Sequence, residues 1–175
     1  MSRRRAEPEP PDLETTLETA LRFLGARPRT QWELRRRLQR SGADDDVLEA
    51  ALARLTDLGY VDDEAFVRWW SEQRDRHAPR GRRLIEAELR QKGVPREVIE
   101  RLREAPLERA EEDAALPETD EQRASAALER HLHGRPIPDD PRAVQRLGMF
   151  LIRRGFDAET ARRAIRQHAT ESGDP

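Results

Sequence analysis

The chain has 175 residues, of which 39% are charged, 35% hydrophobic and 5% aromatic, and its net charge is −2. This composition argues against a deep spherical core and against sheets, and it favours amphipathic helices that each bury one face. The absence of cysteine excludes disulfides and thiolate metal sites, which fits a cytoplasmic protein. The N-terminal residues 1–11 contain no apolar run, so we expect a disordered tail there and no membrane span.

Caps and apolar stripes predict three helices between residues 12 and 61. Asp12 is placed to accept a backbone N–H at the start of the first helix. Thr30 and Glu33 form a capping box for the second helix, which Gly42 ends. Asp44 is the predicted N-cap of the third helix, whose leucines recur at helical spacing.

The same signals predict six more helices in two further groups, at residues 62–103 and 120–169. Asp62 begins the fourth helix, and Asp157 begins the ninth. Between the two groups, residues 104–119 contain two prolines and many acids, which predicts an acidic linker. Residues 170–175 are predicted to be a second tail.

An internal repeat relates the three groups of helices. When the chain is aligned on Gly42, Gly93 and Gly155, a leucine lies four residues before each glycine and a helix initiator soon after it. The predicted fold class is therefore all-α: a tandem repeat of three three-helix units that stack into an elongated, curved body.

Three segments resemble the RecX family of RecA regulators. They are LGYVDDEAF at residues 58–66, the Arg80-Gly81 pair, and the segment from Ile85 to Val94; the Arg153–Phe156 segment also looks like the C-terminal repeat of that family. The resemblance implies a curved monomer that binds in the groove of the RecA–single-stranded DNA filament, and the sequence itself offers no motif for enzymatic activity or for a cofactor. It also implies inhibition of strand exchange, ATP hydrolysis and co-protease stimulation, with effects on DNA repair and the SOS response.

We interpret the conspicuous motif as structural. Gly59 would end a helix, Asp62 would begin the next, and Tyr60 and Phe66 would pack the junction between the first two units. The residues of the motif segments to which we assign a structural role are Gly59, Tyr60, Asp62, Asp63, Phe66, Gly81, Leu89, Gly93, Gly155 and Phe156.

Clustered cations are the best candidates for contact with a partner. The first cluster comprises Arg74, Arg76, Arg80, Arg82, Arg83, Arg90 and Lys92, and the second comprises Arg29, Arg35, Arg36, Arg37 and Arg40. They would contact DNA phosphates or an acidic surface of RecA. The alternative is a solvated face with ion pairs such as Glu86–Arg90. We expect charge reversal at Arg82 and Arg83 to weaken binding and to preserve helicity.

The remaining polar and aromatic residues suggest no chemistry. The histidines lack metal-ligand spacing, and no triad or phosphate-binding loop is present in the sequence. Trp32, Trp69 and Trp70 could stack on bases, but we expect the group to be core residues, Trp69 above all. For Trp70 the sequence does not decide between the core and the surface.

Two alternative functions stay open: a stand-alone protein that binds single-stranded or duplex DNA, and a helical scaffold for another protein.

Overall fold

The computed structural model describes residues 9–104 and 116–171. These residues form helices and no strand, which confirms the all-α prediction. The helices are α1 (Leu13–Leu24), α2 (Gln31–Arg40), α3 (Asp45–Asp57), α4 (Asp63–His77), α5 (Arg82–Gln91), α6 (Arg96–Glu104), α7 (Asp120–Leu132), α8 (Pro141–Arg153) and α9 (Ala158–Glu171). Most of the predicted linker and tails lies outside the described residues, and α9 continues into the predicted C-terminal tail.

The helices pack in three consecutive groups, each around its own small apolar core. Unit 1 consists of α1–α3, unit 2 of α4–α6 and unit 3 of α7–α9. The cores include Leu34, Leu38 and Leu52 in unit 1, Phe66, Ile85 and Leu89 in unit 2, and Leu128, Leu151 and Phe156 in unit 3. The repeat of three-helix units is therefore confirmed, while the elongated, curved shape and the exact unit boundaries stay predictions.

Most of the predicted helix caps are present. Asp12 accepts a hydrogen bond from the Thr15 N–H at 2.9 Å, and Asp62 accepts from the N–H groups of the first turn of α4. Thr30 and Glu33 form the predicted capping box. Asp44 occupies the N-cap position of α3, but its side chain makes no capping hydrogen bond.

The joints between successive units share one hydrogen-bond pattern. The N-cap residue of the second helix of one unit donates to the carbonyl just before the terminal glycine of the next unit's second helix. At the first joint the Thr30 hydroxyl donates to the Lys92 carbonyl at 2.6 Å, and at the second the Gly81 N–H donates to the Arg154 carbonyl at 2.9 Å. Thr30 and Gly81 occupy equivalent positions in the repeat, and so do Lys92 and Arg154.

An aspartate completes each joint. The Gln31 N–H donates to Asp63 at 2.9 Å, and the Arg82 N–H donates to both carboxylate oxygens of Asp120 at 3.1 Å. Asp63 and Asp120 are the first residues of the first helix of units 2 and 3. The second helix of one unit is therefore tied at its N-terminus to two places in the following unit.

The terminal glycines of units 2 and 3 are required by close packing as well as by backbone conformation. Gly93 has a φ of +78°, and a Cβ there would lie 2.3 Å from Cγ of Trp32. Gly155 has a φ of +90°, and its Cβ would lie 2.5 Å from Cβ of Leu84. Both positions exclude any larger residue, because the preceding unit touches the turn directly.

The structure corrects part of the structural interpretation of the motif. Gly59 ends α3 with a φ of +73°, as predicted. Phe66 is buried, but it belongs to the core of unit 2 and not to the junction between units. Tyr60 is 58% exposed, so the prediction that it packs the junction is wrong. Asp63 joins units 1 and 2 through its hydrogen bond to Gln31 instead.

A buried ion pair reinforces the second joint. Arg123 in α7 donates to both oxygens of Asp75 in α4, at 2.8 and 3.2 Å. Asp75 is completely buried, and the Arg123 side chain is 6% exposed. Arg130 adds hydrogen bonds to the carbonyls of Asp75 and Arg76 at 3.3 and 3.1 Å. Unit 3 is therefore held to unit 2 along the C-terminal half of α4 as well as at the turn.

Candidate functional site

Three cationic side chains of unit 2 gather around one aromatic ring and one carboxylate. Glu88 accepts hydrogen bonds from the indole N–H of Trp70 at 2.9 Å and from Nε of Arg74 at 2.8 Å, and it forms an ion pair with Arg80. The Trp70 ring also lies under Arg74 and under Lys92, whose Nζ is 4.1 Å from the ring centroid. The carboxylate and the ring thus hold the cations in fixed positions.

Cations of unit 1 continue this cluster across the first joint. Lys92 lies 3.8 Å from Glu33, which also forms an ion pair with Arg27 at 2.8 Å. Arg29 stacks on the ring of Phe23, with its guanidinium carbon 4.1 Å from the centroid. The Arg27 and Arg29 side chains are close enough to Lys92 to lower its pKa.

Arg154 extends the cluster into unit 3. It donates to the Pro79 carbonyl at 3.3 Å, stacks over Phe150, and is close enough to Arg80 to lower its pKa. We call the combined set the basic row; it consists of Arg27, Arg29, Arg74, Arg80, Lys92 and Arg154. The row touches all three units and follows both joints.

Positive charge is in excess along the basic row. Its cations surround Glu33 and Glu88. Nearby, burial raises the pKa of Asp63, and the charges of Asp62 and Glu33 raise it further. Burial lowers the pKa of Lys92, and the neighbouring arginines lower it further against the opposing charge of Glu33. Burial, Arg74 and Arg154 lower the pKa of Arg80 in the same way. An incoming polyanion would supply the missing negative charge.

The first predicted cluster is divided between two sides of α5. Arg74, Arg80 and Lys92 lie in the basic row. Arg90 lies instead beside Glu86, which also binds Arg103, and Arg82 and Arg83 line a recess with Glu86 and Arg103. Arg76 is exposed, and its carbonyl accepts from Arg130. The residues singled out from the sequence therefore do not form one surface.

The second predicted cluster is also divided. Arg29 joins the basic row. Arg35 forms an ion pair with Glu49, Arg36 stacks over Trp32 at 4.7 Å, and Arg40 donates to the Arg36 carbonyl at 3.1 Å. Arg37 is half-buried on the same helix. These contacts fit a solvated helix face better than a single binding surface.

The tryptophans have different environments. Trp69 and Trp70 are partly buried against the core of unit 2, and the Trp70 and Phe66 rings stack with centroids 6.0 Å apart. Trp32 is 39% exposed and covers Gly93 at the first joint. The expectation that Trp32 is a core residue is therefore wrong.

Sequence reasoning did not single out Arg27, Arg154 or Glu88. A usable signal for Arg154 was present, because it precedes Gly155 as Lys92 precedes Gly93 in the repeat register. Arg27 lies in a loop, and its proximity to Lys92 depends on the joint between units. Across residues 9–104 and 116–171, no cluster of three or more potential metal-ligating side chains occurs and no helix is long and apolar enough to cross a membrane.

The fold and the row together define a class: all-α repeat proteins of three-helix units with a cationic surface along their joints. Models of the first, second and third three-helix domains of RecX match residues 17–55, 62–102 and 118–165. The chain belongs to the RecX family.

Relatives agree with this assignment, and a solved structure shares the fold. The chain is 37% identical to the regulatory protein RecX of Mycobacterium avium (strain 104) over 153 residues, which cover 87% of this chain and 84% of that protein. It is 36% identical to the RecX of Thermobifida fusca (strain YX), with 87% and 78% covered. The crystal structure of RecX from Lactobacillus salivarius shares the fold, with a TM-score of 0.70 and 16% identity over 91% of this chain and 97% of that one.

Proposed function

We propose that this protein regulates the RecA recombinase by binding the RecA–single-stranded DNA filament and inhibiting its activity. Its membership of a family of regulatory proteins carries the proposal. Inhibition of RecA would reduce strand exchange and ATP hydrolysis and so affect DNA repair and the SOS response. The proposal places the protein in the cytoplasm as a monomer that acts without a cofactor.

The basic row supplies the contact surface in this proposal. A filament of RecA on DNA presents phosphates and protein carboxylates along a groove, and a row that touches three units matches an extended partner better than a pocket does. The cations are half-buried and are held by two carboxylates, Glu33 and Glu88, and by the rings of Trp70, Phe23 and Phe150. They therefore lose little side-chain freedom when an anion binds.

The test is the ATPase activity of RecA on single-stranded DNA, measured with increasing amounts of this protein. The row variant Arg29→Gln/Lys92→Gln is compared with Arg22→Gln/Arg54→Gln, which removes the same charge from exposed positions in α1 and α3. We expect the control to inhibit like the wild type and the row variant to need at least about tenfold more protein. Absence of inhibition by the wild type at stoichiometric ratio would refute the proposal.

The predicted role of Arg82 and Arg83 is tested in the same assay. They lie on the other side of α5 from the basic row, beside Asp120 and Glu86. If Arg82→Glu/Arg83→Glu abolishes inhibition and the row variant does not, the contact surface is the side of α5 that carries Arg82 and Arg83. In the opposite case it is the basic row.

The excess of positive charge also favours a second candidate, direct binding to bare DNA. With a surplus of three positive charges among the row cations and Glu33, Glu88 and Asp63, about three phosphates would be neutralised. The logarithm of the affinity would then fall with the logarithm of the salt concentration with a slope of about −2 for single strands. Tight binding of this kind without RecA, together with no effect on the RecA ATPase, would identify the second candidate as the function.

A further inference from the structure

One position of the repeat differs in kind between the three units. Seven residues before the terminal glycine of the second helix lie Arg35 in unit 1, Glu86 in unit 2 and Gly148 in unit 3. Arg35 forms an ion pair with Glu49 of α3, and Glu86 forms one with Arg103 of α6. In units 1 and 2 a charged side chain therefore bridges the second and third helices at this point, and in unit 3 there is no side chain to do so.

The consequence is an apolar groove between α8 and α9. Its volume is about 410 Å³, and it is lined mainly by Gly148, Met149, Ile152, Ala161 and Ile165. Met149 and Ile152 are 45% and 42% exposed and are among the most exposed large apolar side chains of the described residues. Ile152 follows Gly148 by four residues and Met149 by three, so it is a neighbour of both on the surface of α8.

Neither backbone conformation nor crowding requires the glycine at position 148. Its φ is not positive, and a Cβ there would meet only the Ile165 side chain, at an ordinary contact distance of 4.0 Å. A glycine inside a helix costs about 1 kcal/mol relative to alanine. The residue lowers the stability of α8 and at the same time leaves the groove open.

The rim of the groove is cationic. Arg162 and Arg166 line it, and no carboxylate does so. Both arginines form ion pairs with Glu159, with nitrogen–oxygen distances of 2.9 Å for Arg162 and 3.5 Å for Arg166. Arg163 lies 3.9 Å from the same carboxylate. Arg163 also binds Glu121 at 3.4 Å, but Arg162 and Arg166 share the single carboxylate of Glu159, so the rim has an excess of positive charge that an acidic partner would complement.

We propose that this groove is a docking site for an acidic amphipathic helix of a partner protein. The apolar side chains of that helix would lie over Gly148, between Met149 and Ile165, and its carboxylates would pair with Arg162 and Arg166. Helices commonly bind to proteins in this way, with one apolar face in a groove between two helices. The site lies on unit 3 and does not depend on contact between the basic row and DNA or RecA.

The probe is a fluorescein-labelled synthetic helical peptide with leucines at i, i+3, i+4 and i+7 and glutamates on either side of them. Two further peptides serve as controls, one with the same composition in scrambled order and one with lysine in place of every glutamate. Fluorescence anisotropy measures the binding of each to the full-length protein. We expect the acidic amphipathic peptide to bind at least about tenfold more tightly than either control.

Gly148→Leu is the variant that fills the groove. It should fold at least as well as the wild type, because leucine favours helix more than glycine does, and it should weaken peptide binding at least about tenfold. Met149→Gln, at an exposed position, should also weaken peptide binding. Ala53→Leu adds the same side chain as the first variant to an exposed position of α3 and should bind like the wild type.

Several results would overturn the proposal. They are failure of the wild type to bind the acidic amphipathic peptide, equal binding of either control peptide, and unchanged binding by Gly148→Leu. Analytical ultracentrifugation provides a further check. Concentration-dependent self-association of the wild type that Gly148→Leu abolishes would assign the groove to a second copy of this chain instead.

Discussion

The buried pair of Asp75 and Arg123 leads to the sharpest stability prediction. Both side chains are almost fully removed from water, and two hydrogen bonds join them. Removal of one partner leaves the other charge buried and uncompensated, which typically costs about 3–5 kcal/mol. Asp120 stays 3.3 Å from Arg123 and partly compensates its charge. For Asp75→Ala we therefore expect the lower end of that range, about 3 kcal/mol.

Urea unfolding followed by circular dichroism measures this cost. The pair crosses the joint between units 2 and 3, so Asp75→Ala should also separate the unfolding of unit 3 from that of the rest and produce two transitions. The double variant Asp75→Leu/Arg123→Met should recover most of the loss, because apolar residues replace a buried pair at little cost. A loss below about 1 kcal/mol for Asp75→Ala, as for an exposed pair, would refute the reasoning.

Two further predictions concern the first joint. Gly93→Ala should be more destabilising than Gly42→Ala in urea unfolding; both have a positive φ, but only Gly93 faces Trp32, and equal losses would show that the joint tolerates the methyl group. For Glu33, burial raises the pKa, but Arg27, the Thr30 N–H and Lys92 outweigh it, so the pKa lies below its ordinary value of 4.5. The stabilisation from this carboxylate is present above pH 4.5 and is lost as the pH falls through the lowered pKa. Glu33→Gln should therefore be less stable than the wild type at pH 7 and approach it near pH 3, and a constant difference would contradict this.

Local signals explain why so much of the fold could be predicted. The capping box of Thr30 and Glu33 and the aspartate N-caps depend only on a few consecutive residues. The three terminal glycines fix the register between units, and the structure keeps that register from α2 to α5 to α8. These features need no knowledge of contacts between distant parts of the chain.

The errors concern contacts between units. Tyr60 belongs to the same motif as Phe66, but whether its side chain is exposed depends on how units 1 and 2 meet. Asp63 and the N-terminus of α2 form that joint, and Tyr60 stays exposed. The prediction that Trp32 lies in a core is wrong for the same reason: contacts between units decide where this side chain lies. Its ring lies on the turn at Gly93, where two units touch without a shared core.

The division of the predicted basic cluster has a simpler cause. Glu86 and Glu88 are two positions apart on α5, and residues at that spacing do not share a face. Each carboxylate gathers its own arginines, Arg90 and Arg103 around Glu86 and Arg74 and Arg80 around Glu88. Helical periodicity alone could have separated the two sets. The link from Arg27 to Lys92 could not be found in this way, because it depends on the joint.

The joints and the basic row depend on the same residues. Lys92 and Arg154 each use a backbone carbonyl to accept the joint hydrogen bond, and each side chain contributes a cation to the row. The spacing between cations of different units is thus fixed where the units are fixed to each other. A variant that opens a joint should weaken partner binding even when every cation is retained.

The residues at the two outer sides of units 1 and 3 differ from those that form the joints. At the outer side of unit 3, α8 begins with Pro141, three residues earlier in the repeat register than Gln31 in α2 and Arg82 in α5, and proline has no N–H to donate. A unit before unit 1 would need a carboxylate at the first position of α1, where Leu13 stands in place of Asp63 and Asp120. Each end therefore lacks the group that its side of a joint requires. The residues that join the units inside the array are absent from its two ends, and this difference disfavours head-to-tail association of separate chains through the same contacts.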